Sequence, residues 1–397
     1  MQIDPLFAPL TLPCGVTLKN RLAKSAMSDA LGDGRGNPTP AQIRLYERWA
    51  EGGVALSIVG EVQGDPHAAE KPGNLVLGPQ SDDRLLRALT QRASVNGSLL
   101  FAQLGHAGAM THPPIGAPRG PSALTLPGLT CAALTIKEIE ALPAQYARTA
   151  QHAKAVGFGG IQIHAAHGFL LSQFLSPLFN KRDDAYGGTL TNRARLLLQV
   201  IKAVRAAVGP AFPIAIKLNA TDQLEGGFAE SDVLAVITML DQTSIDLIDI
   251  SGGTYYPGAK SASDSAGGGP YFAQFSRAAR AETTKPLMIT GGFKTARQAL
   301  QVLEDGDADM IGVARGFIID PHLPRTWRAR EGEVVFPRFI DPPEGGITAW
   351  YTQQLTRIGN DQHVDPDADL AVAVAEYNAR DAARAPLWNA QFGAPRR

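Results

Sequence analysis

The run His164-Ala-Ala-His167-Gly168 places two imidazoles three residues apart, where the short aliphatic segment 160–163 gives out. Three kinds of chemistry are open to such a pair. With His106 or Asp183 it can ligate a metal ion. It can donate to a carbonyl or anionic oxygen and stabilise developing negative charge. It can also simply bond loop backbone. Lys217 ends a second aliphatic segment and has three readings of its own. Desolvated, it forms a Schiff base; as a fixed cation, it faces the anionic locus of a cofactor; otherwise it pairs with Asp222 or Glu225. Near the C-terminal end, Thr290-Gly291-Gly292-Phe293 and Gly312-Val313-Ala314-Arg315-Gly316 each close an aliphatic run. Glycines admit backbone N–H groups close to a phosphate, and Arg315 can bind its oxygens in bidentate fashion.

Alternating strands and helices must position these groups. Apolar runs predict strands at 22–27, 54–59, 98–103, 160–164, 213–218, 246–251, 286–290 and 309–314, and eight is the number a closed barrel requires. Helical periodicity separates them at 39–51, 81–93, 135–157, 191–209, 230–242 and 295–306, with Thr39, Ser81, Thr135 and Ser231 as candidate caps and Gly306 as a stop. The expected fold is an α/β (β/α)₈ TIM barrel; an open α/β sheet with an appended domain is the alternative. Strand parity puts Gln162 and His164 on one face, opposite Ile161 and Ile163, and likewise Lys217 opposite Ile214 and Ile216. With the aliphatic faces under the helices, Gln103, His164 and Lys217 converge inside the barrel mouth. A hairpin of 10–12 and 16–18 precedes the barrel, and long connections follow strands three (104–134) and six (252–271). Residues 1–335 form the barrel in this reading. Residues 336–397, helical at 367–383, form an extension that packs on the barrel or on a neighbouring subunit.

The composition excludes several classes. Among 397 residues, 37 basic and 38 acidic side chains leave a net charge of −1, without the basic surplus that nucleic acid demands. No apolar stretch approaches the roughly 18 residues of a membrane helix. Cys14 and Cys131 are too few for a disulfide framework or an iron–sulfur cluster. With no basic-then-apolar leader, a cytoplasmic protein is expected.

The stretches LKNRLAKSAM (18–27), QLGHAG (103–108), HAAHGFLLSQFLSPLFNKRDDAYGGTLTNRARL (164–196), TGGF (290–293) and GVARG (312–316) resemble the Old Yellow Enzyme family of FMN-dependent NAD(P)H oxidoreductases. They occur in family order, to about residue 330, and the block 164–196 is especially specific. The resemblance implies FMN across the barrel mouth. Ser25, Ala26 and Met27 would line its ring, Gly60 and Gln103 its pyrimidine edge, and Lys217 would sit near N1 and O2. Gly291, Gly292, Ala314 and Arg315, with Gly312 beside them, would hold the phosphate. His164 and His167 would hydrogen-bond the oxygen of an activated alkene, with Ser28, Ala30, Phe169 and Tyr255 around the substrate. NADH or NADPH would be the reductant and a small-molecule acceptor the partner. Family members often form oligomers, so Arg384 or Trp388 in the tail are candidates to reach a neighbouring site.

The departures from the family pattern matter equally. Phe169 stands where a proton-donating tyrosine is common, Ser28 where one branch has a redox-tuning cysteine, Ala30 where it has a tyrosine, and Ala26 where a proline is common. The proton for alkene reduction would then come from water or from Tyr255, Tyr256 or Tyr186. The expected activity is hydride transfer from NAD(P)H to FMN and on to an α,β-unsaturated carbonyl or similar conjugated acceptor. The alternatives are reduction of a quinone, oxidation of an amine or ketone, flavin binding without turnover, and a flavin-free lyase that uses Lys217 as a Schiff base.

Overall fold

A computed structural model describes residues 4–259, 269–329 and 333–394, so the centre of the predicted 252–271 connection lies outside the described residues. Eight parallel strands close into a barrel: β1 (Leu22–Ser28), β2 (Leu56–Gln63), β3 (Leu99–Gly105), β4 (Gly160–Ala165), β5 (Ile214–Asn219), β6 (Leu247–Ser251), β7 (Leu287–Thr290) and β8 (Met310–Val313). Closure comes from β1, which pairs with β8 (Ala23 opposite Gly312) and with β2 (Ala23 opposite Leu56). All eight predicted strands are present, because strands buried on both faces need continuous apolar side chains. The short strand Leu75–Val76 adds to the outer edge of β2. The fold is therefore a TIM barrel, and the open-sheet alternative is excluded by the β1–β2 and β1–β8 pairings.

The barrel interior is layered. Below, Leu10, Leu12 and Leu18 of the antiparallel hairpin Leu10–Thr11/Thr17–Leu18 pack against Leu56, Phe101, Leu247, Met288 and Met310. The hairpin thus plugs the N-terminal end with apolar surface. Above this layer the interior turns polar, and that change of chemistry marks the catalytic mouth.

The helices obey local capping rules with two corrections. Thr39, Thr135 and Thr295 cap their helices, the last two in reciprocal capping boxes with Glu138 and Gln298. The helix Asp83–Ala93 is capped by Asp82 rather than Ser81, whose hydroxyl donates to Val76 O in the preceding turn. The helix Glu230–Asp241 has Ala229 at its cap instead of Ser231, and Glu230 and Asp232 complement its N-terminal dipole.

The connection after β3 carries three short strands, Arg119–Gly120, Leu124–Leu126 and Leu129–Ala133. Among the described residues beyond 335, two helices extend the chain. Gly346–Gly359 was not evident from periodicity, and Leu370–Phe392 runs well beyond 383. Trp388 is fully buried and its Nε1 donates to Pro66 O of the same chain at 3.1 Å. Arg384 donates to Ala30 O at 2.6 Å. Both side chains thus bond residues of their own chain. Among the described residues, no helix is long and apolar enough to cross a membrane.

Candidate active site

Six strands build a buried polar chain across the mouth. Gln103 Nε2 donates to Gln162 Oε1 at 2.7 Å, and Gln162 Nε2 donates to Asp249 Oδ2 at 3.0 Å. Lys217 Nζ donates to the same Oδ2 at 2.6 Å, and Thr290 Oγ1 donates to Asp249 Oδ1 at 2.7 Å. Thr290 has a single hydroxyl proton, so its 2.8 Å contact with Ser25 Oγ is a bond in which Ser25 donates. The partner of Lys217 is thus Asp249, not Asp222 or Glu225. Asp222 is occupied by Ser176 Oγ at 2.6 Å and the Phe228 amide at 2.9 Å. Lys217 Nζ is engaged by a buried carboxylate at 2.6 Å, whereas a Schiff base needs an amine free to attack a carbonyl. The lyase reading fails on that pairing.

Two adjoining cavities open above this layer. One, about 630 Å³, is bordered by Thr290, Gly291, Gly292, Gly312, Ala314, Arg315 and Lys294. Neither Arg315 nor Lys294 forms an ion pair among the described residues, which leaves two uncompensated cations beside Gly291 and Gly292. Both glycines have positive φ, +126° and +85°, so their amides can turn toward a bound group where a side chain would strain the backbone. This donor set fits a phosphate.

The other cavity, about 520 Å³, is lined by Ala26, Met27, Ser28, Gln103, His164, His167, Phe169 and Tyr255, with Glu61 and Glu70. Arg315 and Tyr351 border both cavities, so a single elongated ligand can span them. Four residues anticipated at the site lie behind this lining. Ser25 and Lys217 belong to the buried layer beneath. Ala30 is 2% exposed, and its carbonyl is taken by Arg384. Gly60 faces the backbone of Met27, where a Cβ would come within 2.2 Å of the Met27 carbonyl oxygen. The β1–β2 register shifts between Lys24 and Met27, and that irregularity brings Met27 and Ser28 to the cavity. Of the candidate hydroxyls, Tyr255 lines the cavity. Tyr186 is buried and donates to Gln199, and Tyr256 packs on Phe179.

His164 and His167 bond to each other, Nε2 to Nδ1, at 3.0 Å, and His167 Nε2 lies 3.1 Å from Ser251 Oγ. Their rings do not converge with a third ligand. Among the described residues no three His, Cys, Asp or Glu side chains are grouped to hold a metal ion. Burial, reinforced by the Lys217 charge, drives His164 down to about 3, and burial holds His167 well below the ordinary range, so both imidazoles are neutral near pH 7. On the other side of His164, the Glu61 carboxyl lies 2.5 Å from Nδ1. Burial pushes Glu61 up to about 8 and, aided by Glu61, pushes Glu70 up to about 7.

Glu61, His167 and Ala30 all adopt positive φ (+57°, +60° and +52°). Such strain in non-glycine residues concentrates at functional sites. Glu61, Glu70, Asp249 and Tyr351 escaped the sequence reading. Glu61 follows Gly60, which looks like a strand end, although β2 continues to Gln63. Asp249 was legible in principle. It lies opposite Lys217 in the β5–β6 register, and an acid inside the aliphatic run 246–251 calls for a partner.

The sequence profile described as the NADH:flavin oxidoreductase / NADH oxidase family matches residues 5–332. An NADH-dependent flavin oxidoreductase of Neonectria sp., iliE, is 34% identical over 80% of this chain, which spans only 46% of that protein. Another from Talaromyces variabilis, iccE, is also 34% identical, covering 80% of this chain and 84% of its own length. An NADPH dehydrogenase of Bacillus licheniformis is 35% identical over 82% of this chain and 94% of its own. Among solved structures, the old yellow enzyme homologue from Zymomonas mobilis superposes with a TM-score of 0.72 at 25% identity, covering 88% of this chain and 99% of that one. Profile, relatives and fold agree with a mouth built for a phosphate-bearing planar cofactor: the chain belongs to the NADH:flavin oxidoreductase / NADH oxidase family and is an FMN-dependent NAD(P)H oxidoreductase.

Proposed function

We propose that the second substrate is an α,β-unsaturated carbonyl or similar conjugated compound whose oxygen binds at His164 and His167. The observation that carries this reading is a pair of neutral, mutually bonded imidazoles on the wall of the cavity formed by Ala26, Met27 and Gln103. Neutral imidazole N–H groups polarise a carbonyl without the cost of burying an imidazolium. FMN, when bound, supplies the hydride chemistry, accepting from NAD(P)H and donating to the acceptor.

In this reading the chain's residues divide the work of holding FMN. Gly291, Gly292, Ala314 and Arg315 take the phosphate. Ala26 and Met27 line the ring, and Ser25 and Gly60 set the backbone beneath them. Gln103 meets the pyrimidine edge, while Lys217, fixed by Asp249, presents positive charge to the reduced ring. Ser28, Phe169 and Tyr255 surround the substrate, with Ala30 shaping the wall from behind.

Phe169, whose ring centre lies 4.9 Å from that of His164, has no proton to give. It favours a second reading in which the acceptor is a quinone, protonated on oxygen rather than carbon.

The test is the anaerobic visible spectrum of the purified protein during addition of NADH or NADPH, then of 2-cyclohexenone or a benzoquinone. Bleaching followed by recovery with the enone supports alkene reduction, and recovery with the quinone alone supports the second reading. Bleaching that neither acceptor reverses refutes both.

A further inference from the structure

We propose that Glu61 is the proton reservoir of this site: its carboxyl sets the direction of the His164–His167–Ser251 hydrogen-bond chain and, through His164, delivers the proton that the acceptor oxygen takes up during reduction. The proposal rests on the reading that an acceptor oxygen binds at the histidines.

Three observations carry it. Glu61 Oε1 is 2.5 Å from His164 Nδ1, and that buried nitrogen has no hydrogen bond among the described residues, so the carboxyl is the group in place to bond it once it turns into line. The two side chains are only 4% and 2% exposed, and among the described residues no lysine or arginine pairs with Glu61. Finally, Glu61 borders the substrate cavity from a strained position at φ +57°.

The chain has two self-consistent polarities. With Glu61 protonated, it donates to His164 Nδ1, His164 Nε2–H donates to His167 Nδ1, and His167 Nε2–H donates to Ser251 Oγ. With Glu61 ionised, every one of these bonds reverses. Both imidazoles stay neutral in either case, as burial requires.

A neutral imidazole gives up its Nε2 proton only if Nδ1 gains one. When the acceptor oxygen replaces His167 at Nε2 and turns anionic on reduction, the Nε2 proton moves to that oxygen. The carboxylic proton of Glu61 then moves to Nδ1. One O–H and one N–H bond form while one N–H and one O–H bond break. Hydride and its electron pair come from NAD(P)H by way of the flavin, and solvent reprotonates the carboxylate. The product is an enol or a hydroquinone, so no phenol at position 169 is needed.

The groups facing Glu61 are Gln63, whose Nε2 donates to Oε2 at 3.4 Å, together with Glu70, Tyr146 and Tyr255; Lys217 and Asp249 face His164. Burial is what keeps Glu61 protonated, against the bond from Gln63, and Glu61 in turn helps raise Glu70.

The experiment compares the wild type with Glu61→Gln and Glu61→Asp. In the first arm, ring ¹⁵N shifts of His164 and His167 are followed against pH without substrate. Both tautomers should invert together as Glu61 titrates, and the inversion should vanish in Glu61→Gln. In the second arm, reduced enzyme is reoxidised anaerobically by 2-cyclohexenone, benzoquinone or ferricyanide. Glu61→Gln should slow the first two on the order of 10²-fold. Ferricyanide, which takes electrons without protons, should be unaffected, and Glu61→Asp should recover part of the loss. Shifts independent of pH in the wild type, an inversion that survives Glu61→Gln, or equal slowing with all three oxidants would each overturn the proposal. If no enone or quinone reoxidises the wild type, the acceptor reading falls and proton delivery with it, while the ¹⁵N titration still decides whether Glu61 sets the tautomers.

Discussion

Removing the cation from the Lys217–Asp249 pair tests the site's electrostatic foundation. Lys217→Met keeps most of the side-chain volume but leaves Asp249, which is 0% exposed, without its counter-charge. Two acceptor bonds survive, from Gln162 Nε2 at 3.0 Å and Thr290 Oγ1 at 2.7 Å, and both donors are neutral. Breaking a buried pair from one side costs about 3–5 kcal/mol, because the remaining charge cannot reach water. Against a total stability of about 5–15 kcal/mol, that should move the urea midpoint of the apoprotein far down, read by circular dichroism at pH 7. Adding Asp249→Asn removes the orphaned charge while an amide oxygen still accepts from Gln162 or Thr290. The double variant should therefore be more stable than Lys217→Met alone, with a coupling of about 1–3 kcal/mol. The same double variant should still bind FMN but hold the reduced flavin less well, lowering its midpoint potential. A Lys217→Met loss below about 1 kcal/mol, the range of a solvated surface pair, would show that Asp249 is not stranded as a buried charge. So would additivity of the two substitutions.

Phe169→Tyr places a phenol beside His164 and should raise enone turnover relative to quinone turnover by up to about 10²–10⁴-fold; an unchanged ratio would show that the phenol is not limiting. Gly60→Ala drives a Cβ to 2.2 Å from the Met27 carbonyl oxygen, so the β1–β2 contact must shift. Its melting temperature should fall by an amount equivalent to about 1–3 kcal/mol, and an unaltered Tm would disprove the close approach. Arg315→Ala should weaken FMN binding at least about tenfold but leave riboflavin binding nearly unchanged, since only FMN carries the phosphate. Equal losses for both flavins, measured by fluorescence quenching, would move the phosphate elsewhere.

Much of the barrel could be read along the chain because local rules govern it. Segments such as 160–164 and 213–218 are aliphatic since both faces are covered, and their parity alone turned Gln103, His164 and Lys217 inward. The caps that failed, Ser81 and Ser231, failed by a residue or two: Asp82 takes the Arg84 amide at the first helix, and no side chain caps the second. The helix Gly346–Gly359, which carries Tyr351 to the cavity, was obscure because its buried residues cover much of its circumference and blur its periodicity.

Side-chain type and spacing along the chain determined the fold, the mouth of the barrel and the family of chemistry. What each polar group does there was decided by contacts between strands. Lys217 meets Asp249 32 residues on, and His164 meets Glu61 103 residues back. Charge and protonation follow from what water is excluded and which partner replaces it. Only closure of the barrel brings those partners within 2.5–3.0 Å and shuts the water out.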